Sequence, residues 1–111
     1  MIDYSDFIKL EIRVGLVKIC EHIQNSRNLY KLTVDCGEQK NRQIITGIRN
    51  YYTPEELINQ KIIVLTNLKP KKIMGFKSEG MSLAADVSNE PILLKLDENR
   101  REKVPPGSKI K

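Results

Sequence analysis

The residues best suited to chemistry lie together in one stretch of the chain, from Asn67 to Ala85. Four lysines come before its first acidic residue, Glu79: Lys69, Lys71, Lys72 and Lys77. Ammonium groups that share a loop are suited to phosphates, and such binding weakens as salt rises. Pro70, Gly75 and Gly80 would restrict or shape the backbone of this loop. An alternative interpretation is a solvated lysine-rich surface with no partner.

No other set of residues has the spacing of a catalytic or metal site. The single histidine, His22, lies in a polar, turn-rich segment, and the chain shows neither a paired-carboxylate motif nor a glycine-rich phosphate loop. Cys20 and Cys36 are not spaced as a metal or redox pair, and Cys36 continues the inward phase of a strand. We therefore expect no enzyme activity, no catalytic residue, no cofactor and no metal.

The positive charge is concentrated in the middle of the chain. The net charge is +5, and residues 39–81 hold eight Lys/Arg against three Asp/Glu. A localised basic face favours a polyanionic partner. No apolar run approaches the roughly 18 residues of a membrane span, and the N-terminus lacks the features of a signal peptide. These features predict a cytoplasmic protein with no membrane partner.

The elements that must position the basic stretch are mostly strands. Apolar residues alternate with polar ones over residues 10–14 and 30–36, residues 43–48 return as a strand, and residues 61–68 enter the basic loop. The alternation shifts after Gly15, which predicts a β-bulge or a sharp bend there in one long strand.

Two short helices accompany the strands. One is predicted from Tyr4 to Leu10 with Ser5 as its cap, and another starts at the capping box Thr53-Pro54-Glu55-Glu56. The order of elements predicts an all-β domain over residues 1–111. We expect an OB-fold: a five-stranded barrel, a short helix between strands three and four, and extra C-terminal strands.

Several motifs, in order along nearly the whole chain, resemble those of the tRNA-binding domain family. They are DFIKLEIRVG (6–15), TGI (46–48), YTPEELI (52–58), NLKPKKIMG (67–75) and SEGMSLAA (78–85). The resemblance implies an OB-fold homodimer that binds the outside corner of tRNA by shape, with residues 86–111 as a dimerisation extension. It places Ser78 and Met81 at the RNA contact. The complete predicted tRNA-binding set is Arg42, Arg49, Asn67, Lys69, Lys71, Lys72, Lys77, Ser78, Glu79 and Met81.

The same family includes proteins with different functions. Members occur as free-standing tRNA-binding proteins, as β subunits of methionyl-tRNA synthetases and as CsaA-like chaperones. Residues 26–32 are more similar to the chaperone branch, and residues 78–81 to the tRNA-binding branch. The main hypothesis is therefore tRNA binding, alone or in trans for a methionyl-tRNA synthetase, and the alternative is a chaperone for unfolded preproteins. The basic charge of residues 39–81 favours the first.

Overall fold

Antiparallel strands make up most of the chain, and the computed structural model describes all 111 residues. The regular elements are, in chain order, α1 (Tyr4–Phe7), β1 (Ile12–His22), β2 (Tyr30–Asp35), β3 (Arg42–Thr46), α2 (Pro54–Leu57), β4 (Lys61–Leu65), β5 (Lys71–Ile73), β6 (Phe76–Ser78), β7 (Met81–Ser82), β8 (Ala84–Val87), β9 (Glu90–Leu93) and a 3-10 helix (Arg101–Lys103).

The main sheet has the strand order β3-β2-β1-β4-β7, and it curls into a nearly closed barrel. Side chains connect its two ends, since the hydroxyl oxygens of Thr46 and Ser82 lie 3.3 Å apart. The β5–β6 and β8–β9 pairs form two separate hairpins. The predicted all-β, OB-like class is confirmed.

The core follows from the alternation seen in the sequence. Leu32, Val34 and Cys36 all point inward from β2 and are buried, and Ile44 on β3 meets them. Burial of one such aliphatic side chain stabilises the fold by about 1.5–3 kcal/mol. Burial also raises the pKa of the Cys36 thiol to about 11, so this cysteine is a neutral packing residue, as predicted.

The predicted bulge is present, but it does not lie at the glycine. The register between β1 and β2 shifts between Val17 and Ile19. Gly15 has another role, because a Cβ atom there would lie 2.5 Å from Cγ1 of Val34 and 3.0 Å from Cγ2 of Val64. The glycine therefore lets β1 pack closely against the barrel interior, and the register shift follows later in the same strand.

The two helices differ in how well their starts were predicted. In α2 the capping box of Thr53 and Glu56 is confirmed: the Glu56 N–H donates to Oγ1 of Thr53 at 3.3 Å, and the Thr53 N–H donates to Oε1 of Glu56 at 2.8 Å. The predicted Ser5 cap of α1 is wrong. That helix begins after Asp3, whose N–H donates to Oδ2 of Asp6 at 3.3 Å, and it ends at Phe7.

The C-terminal part of the chain divides into two pieces with different environments. The β8–β9 hairpin is largely exposed. The tail lies beside residues 12–14 of β1. These residues pair with β4 along one edge, and the tail takes the other edge in the stretch that β2 does not reach. The Gly107 N–H donates to the Val14 carbonyl at 2.7 Å, and the Ile110 N–H donates to the Ile12 carbonyl at 2.8 Å. The tail is therefore part of the barrel. No helix of this structure is long and apolar enough to cross a membrane.

Candidate functional site

The stretch predicted as a basic loop contains a β-hairpin. Lys71 pairs with Ser78 and Lys72 with Lys77 across β5 and β6. Met74 and Gly75 form its two-residue turn, with φ angles of +51° and +83°. Positive φ at both central residues defines the type I′ turn, whose twist matches that of paired strands. We call residues 69–78 the basic hairpin.

The base of the basic hairpin is fastened to the free edge of β3. The Ile45 N–H donates to Oγ of Ser78 at 3.0 Å, and the Glu79 N–H donates to the Gln43 carbonyl at 2.8 Å. Gln43 also donates from Nε2 to the Lys77 carbonyl at 2.9 Å. These bonds satisfy backbone groups that an edge strand would otherwise expose. The hairpin therefore has a fixed position relative to the barrel.

Phe76 strengthens this attachment. Its ring is half-buried, and Nζ of Lys31 on β2 lies 4.6 Å from the ring centroid, which is a cation–π geometry. An aromatic ring covered in this way is a packing residue of the hairpin. This environment does not fit a role of Phe76 as a base-stacking platform.

The lysines of this stretch remain free. All four side chains are exposed, and none forms a hydrogen bond or ion pair within the chain: Lys69, Lys71, Lys72 and Lys77. Each ammonium group offers three donors and no acceptor, so an anion is its natural partner. The structure thus provides a solvated cationic surface on a rigid support.

Met81 and Ser78 have opposite environments. Met81 lies on β7, where 44% of its surface is exposed beside the basic hairpin, and can contact a partner directly. Ser78 is buried, and its hydroxyl accepts from Ile45 and donates to the Gly80 carbonyl at 3.1 Å. In this structure Ser78 supports the backbone that leads to Met81.

Arg42 connects three separate segments of the chain. Its Nε and Nη2 donate to the two carboxylate oxygens of Glu38 at 2.7 and 2.9 Å. Its Nη1 donates to the carbonyls of Thr66 and Glu79 at 2.8 and 2.7 Å. The Glu38 carboxylate also raises the pKa of Arg42. Arg42 therefore holds the turn after β2, the end of β4 and the hairpin exit together.

The other predicted site residues also have partners within the chain. Asn67 accepts from the Glu11 N–H at 2.8 Å and donates to the Lys9 carbonyl at 2.7 Å. Arg49 donates to the Ser26 carbonyl at 2.6 Å, and Oε1 of Glu79 accepts from the Gln43 N–H at 3.0 Å. The predicted set thus separates into an exposed group of four lysines and Met81, and a supporting group of Arg42, Arg49, Asn67, Ser78 and Glu79. A direct RNA contact by any of them stays a prediction.

Lys40 lies beside this surface and was not in the predicted set. It is exposed in the turn between β2 and β3, and it lines the same groove as Lys69. The signal that could have identified it is topological. In the predicted barrel the β2–β3 turn and the segment after β4 lie at the same end.

The Arg42–Glu38 pair predicts a dependence of stability on pH. The hydrogen bond from Arg42 is the main cause that lowers the pKa of Glu38 below its ordinary value of 4.5. The unfolded chain therefore takes up this proton at a higher pH than the folded chain. The contribution to stability is complete well above pH 4.5, and it is lost as the pH falls through the depressed folded pKa.

We expect Glu38→Gln to lower the free energy of unfolding at pH 7 by less than about 1 kcal/mol, because the carboxylate is half exposed and screened. The difference from the wild type should shrink below pH 4.5. Urea titrations at several pH values would measure it, with Glu98→Gln, an exposed carboxylate that forms no hydrogen bond or ion pair, as the control. A difference that is constant with pH would contradict this account.

Comparison with known proteins places the chain among RNA-associated proteins. The model of the family described as "Putative tRNA binding domain" matches residues 12–109. A methionine–tRNA ligase of Methanosarcina mazei is 54% identical over 86 residues, which is 78% of this chain and 12% of that protein. The ligase of Methanosarcina acetivorans is 44% identical over 99% of this chain and 15% of its own length. The chain spans only 12–16% of the length of such relatives.

Solved structures extend the comparison to whole chains. The crystal structure of a MetRS-related protein from Pyrococcus horikoshii superposes with a TM-score of 0.89 at 38% identity, covering 100% of this chain and 98% of that one. The CsaA chaperone protein from Picrophilus torridus superposes with a TM-score of 0.87 at 36% identity, covering 100% of both chains.

Proposed function

The chain belongs to the putative tRNA-binding domain family, and from that premise we propose that it binds folded tRNA through the basic hairpin and Met81. The observation that carries the proposal is the set of four exposed, unpaired lysines on a hairpin fastened to the barrel. The family membership assigns binding, and no chemical step, to this domain.

The proposed mechanism is recognition of RNA shape and charge. A-form RNA hides its base edges in a deep, narrow major groove, so proteins contact its phosphates and 2′-hydroxyls. The lysines supply the phosphate contacts, and Met81 packs against a ribose or an exposed base. The hairpin is already ordered by its turn and its bonds to β3, so little conformational entropy is lost when RNA binds.

We also propose that this binding serves a methionyl-tRNA synthetase, either within one polypeptide or in trans. The support is that the much longer methionine–tRNA ligases contain a segment that matches this chain. In such an arrangement the domain adds affinity for tRNA to a catalytic unit that it does not itself contain.

A second candidate is the binding of unfolded polypeptide, as the CsaA name of two neighbours suggests. The observation that favours it is a shallow groove beside Met81, with a volume of about 390 Å³, lined in part by Leu83, Ala84 and Ala85. An extended peptide could place apolar side chains there. The groove lies next to the basic hairpin, so the two ligands would compete.

A competition titration separates the two functions. Fluorescently labelled total tRNA is bound to the protein, and an unfolded, uncharged polypeptide is then added in excess. We expect tRNA to bind and to remain bound, because phosphate contacts dominate its affinity. Displacement of tRNA by the excess peptide would favour the chaperone function, and failure of tRNA to bind at all would refute the main proposal.

We propose further that the chain forms a homodimer through the β8–β9 hairpin, residues 84–93, which overlaps the first part of the dimerisation extension predicted over residues 86–111. Val87, Ile92 and Leu94 are 56%, 43% and 44% exposed on or beside this hairpin. A second copy would remove this apolar surface from water. Deleting residues 90–111 would be a poor test, because the tail from Gly107 to Ile110 completes the barrel.

Point substitutions give a cleaner test of the dimer. We expect Val87→Asp combined with Ile92→Asp to convert a dimer to a monomer in sedimentation velocity, since two carboxylates would have to be desolvated at the interface. Ile19→Asp, at an equally exposed apolar position on β1, is the matched control and should leave the dimer intact. A double variant that still sediments as a dimer would place the interface elsewhere.

A further inference from the structure

An open trough adjoins the basic hairpin on its β4 side. One bank is the turn from Glu38 to Arg42 and the other is the segment from Thr66 to Pro70, with Glu79 between them. Its volume is about 690 Å³, which lies within the range of roughly 300–1,000 Å³ for small-ligand sites. The trough therefore has room for one ligand of the size of a nucleotide.

The floor of the trough is rigid because its polar groups are bonded to one another. Arg42 donates to Glu38 and to the carbonyls of Thr66 and Glu79. The hydroxyl of Thr66 donates to the Glu11 carbonyl at 2.8 Å, and Asn67 is bonded at both ends of its amide. No buried side-chain nitrogen or oxygen of the chain lacks a partner. The floor thus serves as a fixed support.

The side chains on the rim of the trough are available to a ligand. Five exposed side chains on the two banks have no hydrogen bond or ion pair in the structure: Gln39, Lys40, Asn41, Leu68 and Lys69. They combine one cation on each bank with amide groups that can donate and accept, and with an apolar surface, since Leu68 is 47% exposed. Glu38, the acid on the same bank as Lys40, is neutralised by its pairing with Arg42. These unpaired groups therefore favour a ligand that carries negative charge, hydrogen-bonding groups and some apolar surface.

We propose that this trough binds one unpaired nucleotide of the RNA, with its phosphate held by Lys40 and Lys69 and its base against Leu68 and Asn41. The proposal rests on the proposed tRNA binding. It extends the RNA-contact surface from the basic hairpin to the turn from Glu38 to Arg42. A base inside a helix is stacked and cannot enter, whereas an unpaired base can be turned out of its strand. No aromatic residue lines the trough. The base is therefore held by apolar contact with Leu68 and by hydrogen bonds between its polar edge and Asn41.

The test compares two single variants on two RNAs. Lys40→Ala and Leu68→Ala are titrated with total tRNA and with a blunt, fully paired RNA duplex, each at several salt concentrations. Lys18→Ala is the matched control, because Lys18 is exposed on β1 and lines neither the trough nor the hairpin. Thermal unfolding of each variant checks that the fold is unchanged.

For tRNA we expect Lys40→Ala to weaken binding by about threefold to tenfold, and to reduce the slope of log K against log salt by about 0.7, the value for one single-strand phosphate contact. Leu68→Ala should weaken binding without changing the slope. On the duplex both variants should bind as the wild type does.

Three results would overturn the inference. The first is that Lys40→Ala binds tRNA with unchanged affinity and an unchanged salt slope, while substitution of the hairpin lysines weakens tRNA binding. In that case the trough is not a site and the proposed function stands. Equal losses on tRNA and duplex would show that the trough contacts paired RNA. If the wild type binds no tRNA, the proposed function and this inference both fail.

Discussion

Replacement of Lys71, Lys72 and Lys77 together by alanine will reduce the affinity for tRNA by about 10²–10³-fold near 0.1 M salt. The three ammonium groups lie on adjacent strands of one hairpin and have no partner within the chain. Each phosphate contact that is lost also lowers the slope of log K against log salt by roughly 0.7–0.9, so the slope should fall by about two to three. Fluorescence anisotropy titrations at four or more salt concentrations measure both quantities.

The same triple variant should unfold at the same temperature as the wild type, because no hydrogen bond or ion pair is removed. The control is alanine at Lys18, Lys103 and Lys111, three exposed and unpaired lysines outside the basic hairpin. This control removes the same net charge and should lose little affinity. Equal losses in both triple variants would mean that binding follows net charge alone, and the assignment of the hairpin as the contact surface would be rejected.

The second large effect concerns the crossing of the C-terminal tail over the turn after β2. A Cβ atom at Gly107 would lie 2.7 Å from the carbonyl oxygen of Cys36 and 2.9 Å from the Cα atom of Gly37. Gly107 also has a φ angle of +91°, which L residues rarely adopt. Both backbone segments are held at this point. Gly107 donates to the Val14 carbonyl and accepts from Nη1 of Arg13 at 3.0 Å, and the Gly37 N–H donates to Oδ1 of Asp35 at 2.8 Å.

We expect Gly107→Ala to lower the free energy of unfolding by about 3 kcal/mol or more, the sum of backbone strain and steric overlap. Gly75→Ala is the matched control. Gly75 has a similar φ angle of +83°, but a Cβ atom there would have no other atom within 4 Å, so only strain of about 1–2 kcal/mol is expected. Urea denaturation of both variants measures the difference. Equal losses would show that the close approach of Gly107 to Cys36 and Gly37 adds no steric cost.

The sequence predicted those features that depend on neighbours within a few residues. The alternation in residues 30–36 identified β2 and its buried face, because successive side chains of a strand point to opposite sides. The capping box at Thr53 predicted α2, since both of its bonds close within three residues. The family resemblance and the positive charge of residues 39–81 indicated the kind of partner.

The basic hairpin itself could not be seen in the sequence. β5 and β6 have only three residues each, too few for a period to appear, and Met74-Gly75 is not among the usual turn pairs. The bulge near Gly15 shows the same limit. The phase shift marked the region correctly, but the side chains of Val34 and Val64, distant in sequence, determine why residue 15 is glycine.

The sequence by itself therefore determined the four longer barrel strands, the second helix, the family and the chemical type of the surface. Only the tertiary structure decided which predicted residues are free and which are bonded. Arg42 and Lys72 are both cations of the predicted site, yet Arg42 donates to carbonyls 24 and 37 residues away, and Lys72 faces solvent. Whether a charged group is free for a partner depends on such distant backbone groups, and their position exists only once the barrel has closed.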